Sequence, residues 1–134
     1  MAKLVAVRLQ RDIDELLASR KPLAIAGKRS RTVSAFYHLR PLEAGSTPMM
    51  FLIHAVKRGI PNSPDRNRQK RRMREAIRQL QVYETVNQQL MASSHQVLVL
   101  LRTAQVPSKS SSWDTILLDM ELIGNKLQEM TKHA

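Results

Sequence analysis

The chain of 134 residues is about the length of one ordinary domain, and 43% hydrophobic residues suffice to bury a core. Lys and Arg number 22 against 11 acidic residues, and the resulting net charge of +11 favours a polyanionic partner. The absence of cysteine excludes disulfides, thiolate nucleophiles and Cys-based zinc sites, and with only 4% aromatic residues the core must rest on Leu, Ile, Val, Met and Ala.

The opening run MAKLVAVRLQRD is too short and too interrupted by charge for a signal peptide. No apolar run approaches the roughly 18 residues of a membrane-crossing helix. The expectation is a cytoplasmic protein without a membrane partner, a single domain over residues 1–134, with residues 1–11 as a disordered or loosely packed N-terminal arm.

Residues 12–20 read as a short helix with Ile13, Leu16 and Leu17 on one face and a capping box from Asp12 and Glu15. Pro22 interrupts that pattern; residues 23–26 either continue as a separate turn or do not, and Gly27 is a stop in both cases. Residues 32–39 (TVSAFYHL) and 49–56 (MMFLIHAV) have strand composition, and PLEAGSTP between them has turn chemistry. An antiparallel pair is predicted, with room for a third short strand in the second segment.

A loop at residues 58–65 holds Gly59, Pro61 and Pro64, and Asp65 is the predicted N-cap of a helix over residues 66–80. That helix either runs on through Gln88 or breaks into a second piece. HQVLVLL at residues 95–101 reads as a buried strand, because its apolar run is continuous. A Pro/Ser-rich connection follows. Ser111 and Asp114 then cap a last helix with Ile116, Leu117, Met120, Ile123, Leu127 and Met130 on one face. Gly124 inside it costs about 1 kcal/mol of helix propensity. The order α-β-β(-β)-α-β-α gives the fold class α+β, a small two-layer sandwich.

Between Lys57 and Arg78 nine basic residues face only Asp65 and Glu75, and seven of the nine are Arg. A guanidinium presents a planar fork of donors that matches phosphate oxygens in pairs. At helical spacing Met73, Ala76, Ile77 and Leu80 gather on a core-facing side, while Asn67, Arg71, Arg74 and Arg78 form a stripe flanked by Lys70. Arg68 and Arg72 project beside Glu75, which is placed to pair with Arg71 or Arg78. A solvated helix face usually mixes both signs; here one dominates, so an external anion is expected to supply the counter-charge. No helix-turn-helix pair or zinc module is visible, which argues against sequence-specific DNA binding.

The run Arg66-Asn67-Arg68-Gln69-Lys70-Arg71-Arg72-Met73-Arg74-Glu75 resembles the signature helix of the ribonuclease P protein family: Arg-Asn-Arg, one residue, Lys-Arg, two residues, Arg-Glu. Asn62 agrees with the Asn of the preceding loop, although Pro61-Asn62-Ser63-Pro64 stands where the family has Gly-Asn-Ala-Val. Lys57 and Arg58 resemble the basic pair that ends the strand before it. The similarity extends in layout over residues 19–130.

The resemblance implies a left-handed β-α-β crossover, against the right-handed norm. It further implies binding to the catalytic RNA of ribonuclease P through Arg66, Asn67, Arg68, Lys70, Arg71 and Arg74, with Lys57, Arg58, Asn62 and Arg78 extending the patch. The 5′ leader of precursor tRNA would lie in a cleft between the sheet and the first helix. Residues 20–26 lack the aromatic side chains the family places there, so Phe36, Tyr37 and Phe51 are the candidates for stacking on the leader.

Enzyme signatures are missing from the chain itself. His38, His54, His95 and His133 lack metal-ligand spacing, and Gly27-Lys28-Arg29-Ser30 lacks the rest of a phosphate loop. No Gly-x-Ser-x-Gly elbow or paired carboxylates occur. No catalytic or metal-binding residue is therefore expected in the protein, and the Mg²⁺ that the resemblance implies belongs to the RNA-catalysed hydrolysis. The rival readings are a generic basic RNA-binding or ribosome-associated protein and an adaptor whose basic face meets an acidic protein.

Overall fold

The computed structural model describes residues 4–25, 32–104 and 112–133. Among them the chain forms α1 (Gln10–Ser19), β1 (Lys21–Pro22), β2 (Val33–Pro41), β3 (Met49–Ala55), α2 (Ser63–Gln79), α3 (Gln81–Ser93), β4 (His95–Thr103) and α4 (Ser112–Thr131). The fold is α+β, with a four-stranded mixed sheet in the order β1-β2-β4-β3.

The most apolar strand takes the middle of the sheet. Val97, Leu98, Val99, Leu100 and Leu101 are all buried, so β4 needs cover on both faces and a neighbour on both sides. It pairs antiparallel with β2 and parallel with β3. The predicted β2–β3 hairpin is thereby corrected. The two strands run in opposite directions but lie on either side of β4, and the turn at Gly45 (φ +80°) connects strands that are not neighbours. The extra strand is also not inside residues 49–56. It is Lys21–Pro22, on the open edge of β2, where a proline without an N–H costs no ladder bond.

Register divides the sheet residues cleanly. Tyr37, Val99 and Phe51 form one cross-strand row, and Phe36, Leu100 and Leu52 form the next row on the opposite face. The first face carries the main core beneath α2, α3 and α4, with Met73, Ile77, Tyr83, Val86, Leu90, Ile116, Met120, Ile123 and Leu127 buried. The second face carries a smaller cluster of Val7, Leu16, Leu98 and Leu100 beneath α1.

The predicted 66–80 helix starts earlier and breaks. Asn62, not Asp65, is the N-cap, because Pro64 in the first turn already has the φ a helix entry requires. Leu80 (φ −80°, ψ 120°) separates α2 from α3, so the second of the two expected alternatives holds. α3 packs on α4 closely: a Cβ on Gly124 would come within 2.4 Å of Val82 Cγ1. The glycine inside α4 thus has a packing reason.

α1 also begins earlier than expected, at Gln10 after Leu9, with no side-chain cap. Asp12 and Glu15 do not form a capping box. Their carboxylates face Arg40 on β2, which donates to Asp12 Oδ1 (3.0 Å), to Glu15 Oε2 and, through Nε, to Gln96 Oε1 (2.7 Å). Burial alone would lower the pKa of Arg40, but its bonds and charge attraction to the two carboxylates outweigh this and raise it. This network fixes α1 over one end of the sheet. The N-terminal arm is less loose than expected from residue 5 onward. Val7 N donates to Phe51 O and Phe51 N to Val5 O, both at 2.9 Å, so this segment lines the outer edge of β3 and Val7 is buried. Gly27 and Ser111, read as helix signals, lie outside the described residues.

Candidate nucleic-acid interface

The basic segment forms α2, and its burial follows the predicted faces. Met73, Ala76 and Ile77 are fully buried and Leu80 packs half-buried against the same core. Gln69, which charge patterning left unassigned, is buried with them. Asn67, Arg68, Arg71 and Arg78 are exposed, while Arg66, Lys70, Arg72, Arg74 and Glu75 are partly exposed.

Pro64, Asn67, Arg68, Lys70, Arg71 and Arg74 line an open concavity of about 450 Å³. Four cations and an amide surround it, and no carboxylate lines its wall. The expected pairing of Glu75 with Arg71 or Arg78 does not occur. An ion pair on this face joins Arg68 to Asp65 at 3.7 Å, one turn earlier, and both partners keep substantial exposure. A surface pair of that kind contributes little, so it leaves Arg68 able to exchange Asp65 for a stronger anion.

Lys57 and Arg58 stand exposed on a turn that follows β3 and is closed by Ile60 N to Val56 O at 2.9 Å. Asn62 is exposed at the entry of α2. Its amide Nδ2 donates to Asp65 Oδ2 at 3.4 Å. Arg66 bonds instead to backbone carbonyls. Its Nη1 donates to Ile60 O (2.9 Å) and Pro61 O (2.8 Å).

The three aromatic candidates part company. Phe51 is 2% exposed and meets Tyr83 edge to face, ring centroids 6.1 Å apart, so it is a core residue and cannot stack on a strand of RNA. Alternation along β3 dictates this, since Met49, Phe51 and Ile53 share the core-facing side. Tyr37 lies on that same face of the sheet, half-buried, in a depression with Lys126 and Glu129 of α4. Phe36, one residue earlier, points the opposite way.

Phe36 belongs to an apolar groove of about 470 Å³ between the C-terminal end of α1 and the sheet. Phe36, Leu100 and Leu52 make its floor, with Leu17, Arg20, His54 and Arg102 around it. Arg20 places its guanidinium carbon 5.4 Å from the centre of the Phe36 ring. Sequence reading missed Leu17, Arg20, His54 and Arg102. Strand alternation carries a signal for the last: Leu98, Leu100 and Arg102 share one face of β4.

No family model matches the sequence, and no curated protein matches it. Among solved structures the chain is similar to the RNase P protein from Thermotoga maritima, at 18% identity and a TM-score of 0.46, over 96% of each chain.

Among the described residues no three His, Asp or Glu side chains gather as metal ligands, and no helix is long and apolar enough to cross a membrane. The two surfaces differ in what they offer. The α2 face presents positively charged donors of the kind that meet phosphate oxygens. The groove presents an apolar floor with cations at its margin, a combination that suits bases and backbone of an extended single strand.

Proposed function

We propose that this chain is the protein subunit of a ribonuclease P. In this reading the outer face of α2 holds the catalytic RNA, and the groove between α1 and the sheet takes the 5′ leader of precursor tRNA. One observation carries it. The signature-like run at residues 66–75 sits on a single helix, anchored through Met73, with Asn67, Arg68 and Arg71 outside.

The chemistry follows from that arrangement. Arg71 and Arg74, with Lys70 beside them, present cations about one helical turn apart, a spacing that lets neighbouring phosphates of a folded RNA be met together. Each phosphate neutralised releases condensed counterions, so affinity falls steeply with salt. The protein supplies positive charge where folded RNA strands would otherwise repel, and it positions substrate. The bond-breaking is the RNA's, with Mg²⁺ as the cofactor of that reaction. Phe36 offers a ring face to a base of the leader, and Arg20 and Arg102 offer charge to the leader backbone.

Sequencing the RNA that co-purifies with the full chain from cells tests the reading. The expected result is enrichment of one structured RNA that cleaves precursor tRNA by itself at high Mg²⁺. A mixture of ribosomal and other RNAs in proportion to abundance would replace this reading with a generic RNA-binding protein. Complexes that survive ribonuclease treatment would point instead to an acidic protein partner.

A further inference from the structure

Resting on the proposed RNA reading, we infer that Arg66 is a positioning residue: it fixes the Lys57–Arg58 turn against the first turn of α2, so that the turn and the helix meet one RNA surface together.

The geometry is that of a bracket. Arg66 lies in the first turns of α2, yet its Nη1 reaches back to the carbonyl oxygens of Ile60 and Pro61, 2.9 and 2.8 Å away. Those carbonyls end the short segment that carries Lys57 and Arg58. The segment is held at its other points too. Val56 N donates to Thr103 O at 2.8 Å, Ile60 N donates back to Val56 O at 2.9 Å, and the Ile60 side chain is fully buried. Gly59 lies so close to the end of β4 that a Cβ there would stand 1.8 Å from Ala104 O. The turn is thus held to β4 through Val56 and within itself through Ile60, and Arg66 ties its end to α2.

One further feature favours this role over direct contact: Arg66 is absent from the concavity that Asn67, Arg68, Lys70, Arg71 and Arg74 line. A guanidinium suits the task because its fixed charge strengthens bonds to neutral carbonyls and its rigid fork holds a direction. The residue that a charge census assigns to phosphate is thus aimed at the protein's own backbone.

A double-mutant cycle tests this, with binding of the full chain to a transcribed bacterial ribonuclease P RNA measured as a function of KCl. Arg66→Ala is made in the wild-type, Lys57→Ala/Arg58→Ala and Arg74→Ala backgrounds. In the wild type it is expected to weaken binding about tenfold, but in the Lys57→Ala/Arg58→Ala background less than about twofold, because the contacts it positions are already gone. With Arg74→Ala the fold losses are expected to multiply. Equal losses in all three backgrounds, with a salt slope smaller by about 0.9, would make Arg66 a direct phosphate contact and overturn the inference. No loss in the wild type would overturn it as well. If Arg66→Ala does not fold by circular dichroism, Arg66→Lys enters the same cycle. Its single ammonium replaces the fork, and coupling to Lys57 and Arg58 is still the required result. The parent reading fails separately, if the wild type does not bind the transcript or Arg74→Ala binds it as well as the wild type.

Discussion

Arg20 holds its guanidinium 5.4 Å from the centre of the Phe36 ring, so the one aromatic side chain in the groove under α1 is paired with a cation from the end of that helix. The pair lies where α1 leaves the sheet, over the row Phe36–Leu100–Leu52. It supplies an aromatic face and a positive charge in a region where residues 20–26 contain no aromatic residue.

Phe36→Ala is therefore expected to weaken binding of a precursor tRNA with a single-stranded leader by about 1–3 kcal/mol, the range for one stacked base. Arg20→Ala should cost less, since it removes charge and a cation–π contact worth about 0.5–1 kcal/mol. Neither change should alter affinity for mature tRNA, which lacks the leader. Equilibrium titrations with labelled precursor and mature tRNA check both statements, and equal losses on the two substrates would remove the groove from the account.

Gly124→Ala sets two effects against each other. Alanine gains about 1 kcal/mol of helix propensity. Its methyl, however, would meet Val82 Cγ1 at 2.4 Å and the Tyr83 ring at 3.2 Å, and overpacking of a core costs about 1–3 kcal/mol. Because Val82 and Tyr83 belong to a helix fixed to α4, a net loss of stability is expected, read as a lower urea midpoint.

Tyr83 gives a pH dependence. It is fully buried, its hydroxyl donates to Met120 O at 2.6 Å, and burial pushes its phenol well above the ordinary value of 10.0. A raised folded-state pKa stabilises fully below the unfolded value, and the stability is lost as pH rises past it, because only the unfolded chain then ionises. Stability should fall above about pH 10 by up to about 1.4 kcal/mol per pH unit from this residue. Tyr83→Phe should be less stable at pH 7 by about 1 kcal/mol, because the hydroxyl's bond to Met120 O is lost, but should have a flatter alkaline limb. Urea unfolding of both chains between pH 8 and 11 measures the difference.

The sequence made the helices and the basic face legible, because periodicity reports which side of a helix is buried. Met73, Ile77 and Ile116 through Leu127 lie where a period of 3.6 puts them. The continuous apolar run at residues 97–101 likewise announced a strand buried on both faces. Strand partners were not legible. The β2–β3 turn has hairpin chemistry, but the centre of the sheet goes to the strand that loses most by exposure, and that strand is 40 residues further on. Parity was hidden in MMFLIHAV, where neighbours of both faces are apolar, so Phe51 looked as available as Phe36. Leu80 carries no proline or glycine signal. The chain breaks there and α3 packs on α4 at Gly124, a tertiary contact. At the candidate site the census of charge picked out α2 but not the acceptors its arginines meet. That Arg40 meets Asp12 and Glu15 depends on chain folding over 28 and 25 residues, and that Arg66 turns back to two nearby carbonyls depends on the path of the turn before α2, which a charge pattern does not record.

The most direct measurement is precursor-tRNA cleavage by a bacterial ribonuclease P RNA at low Mg²⁺, with the chain added. The wild type is expected to raise the cleavage rate by tenfold or more, a barrier change of at least about 1.4 kcal/mol. Arg71→Ala/Arg74→Ala, altered only on the outer face of α2, should lose most of that gain while folding normally. A wild-type chain that binds the RNA yet leaves cleavage unchanged, or a double variant that stimulates as well as the wild type, would contradict the proposed function.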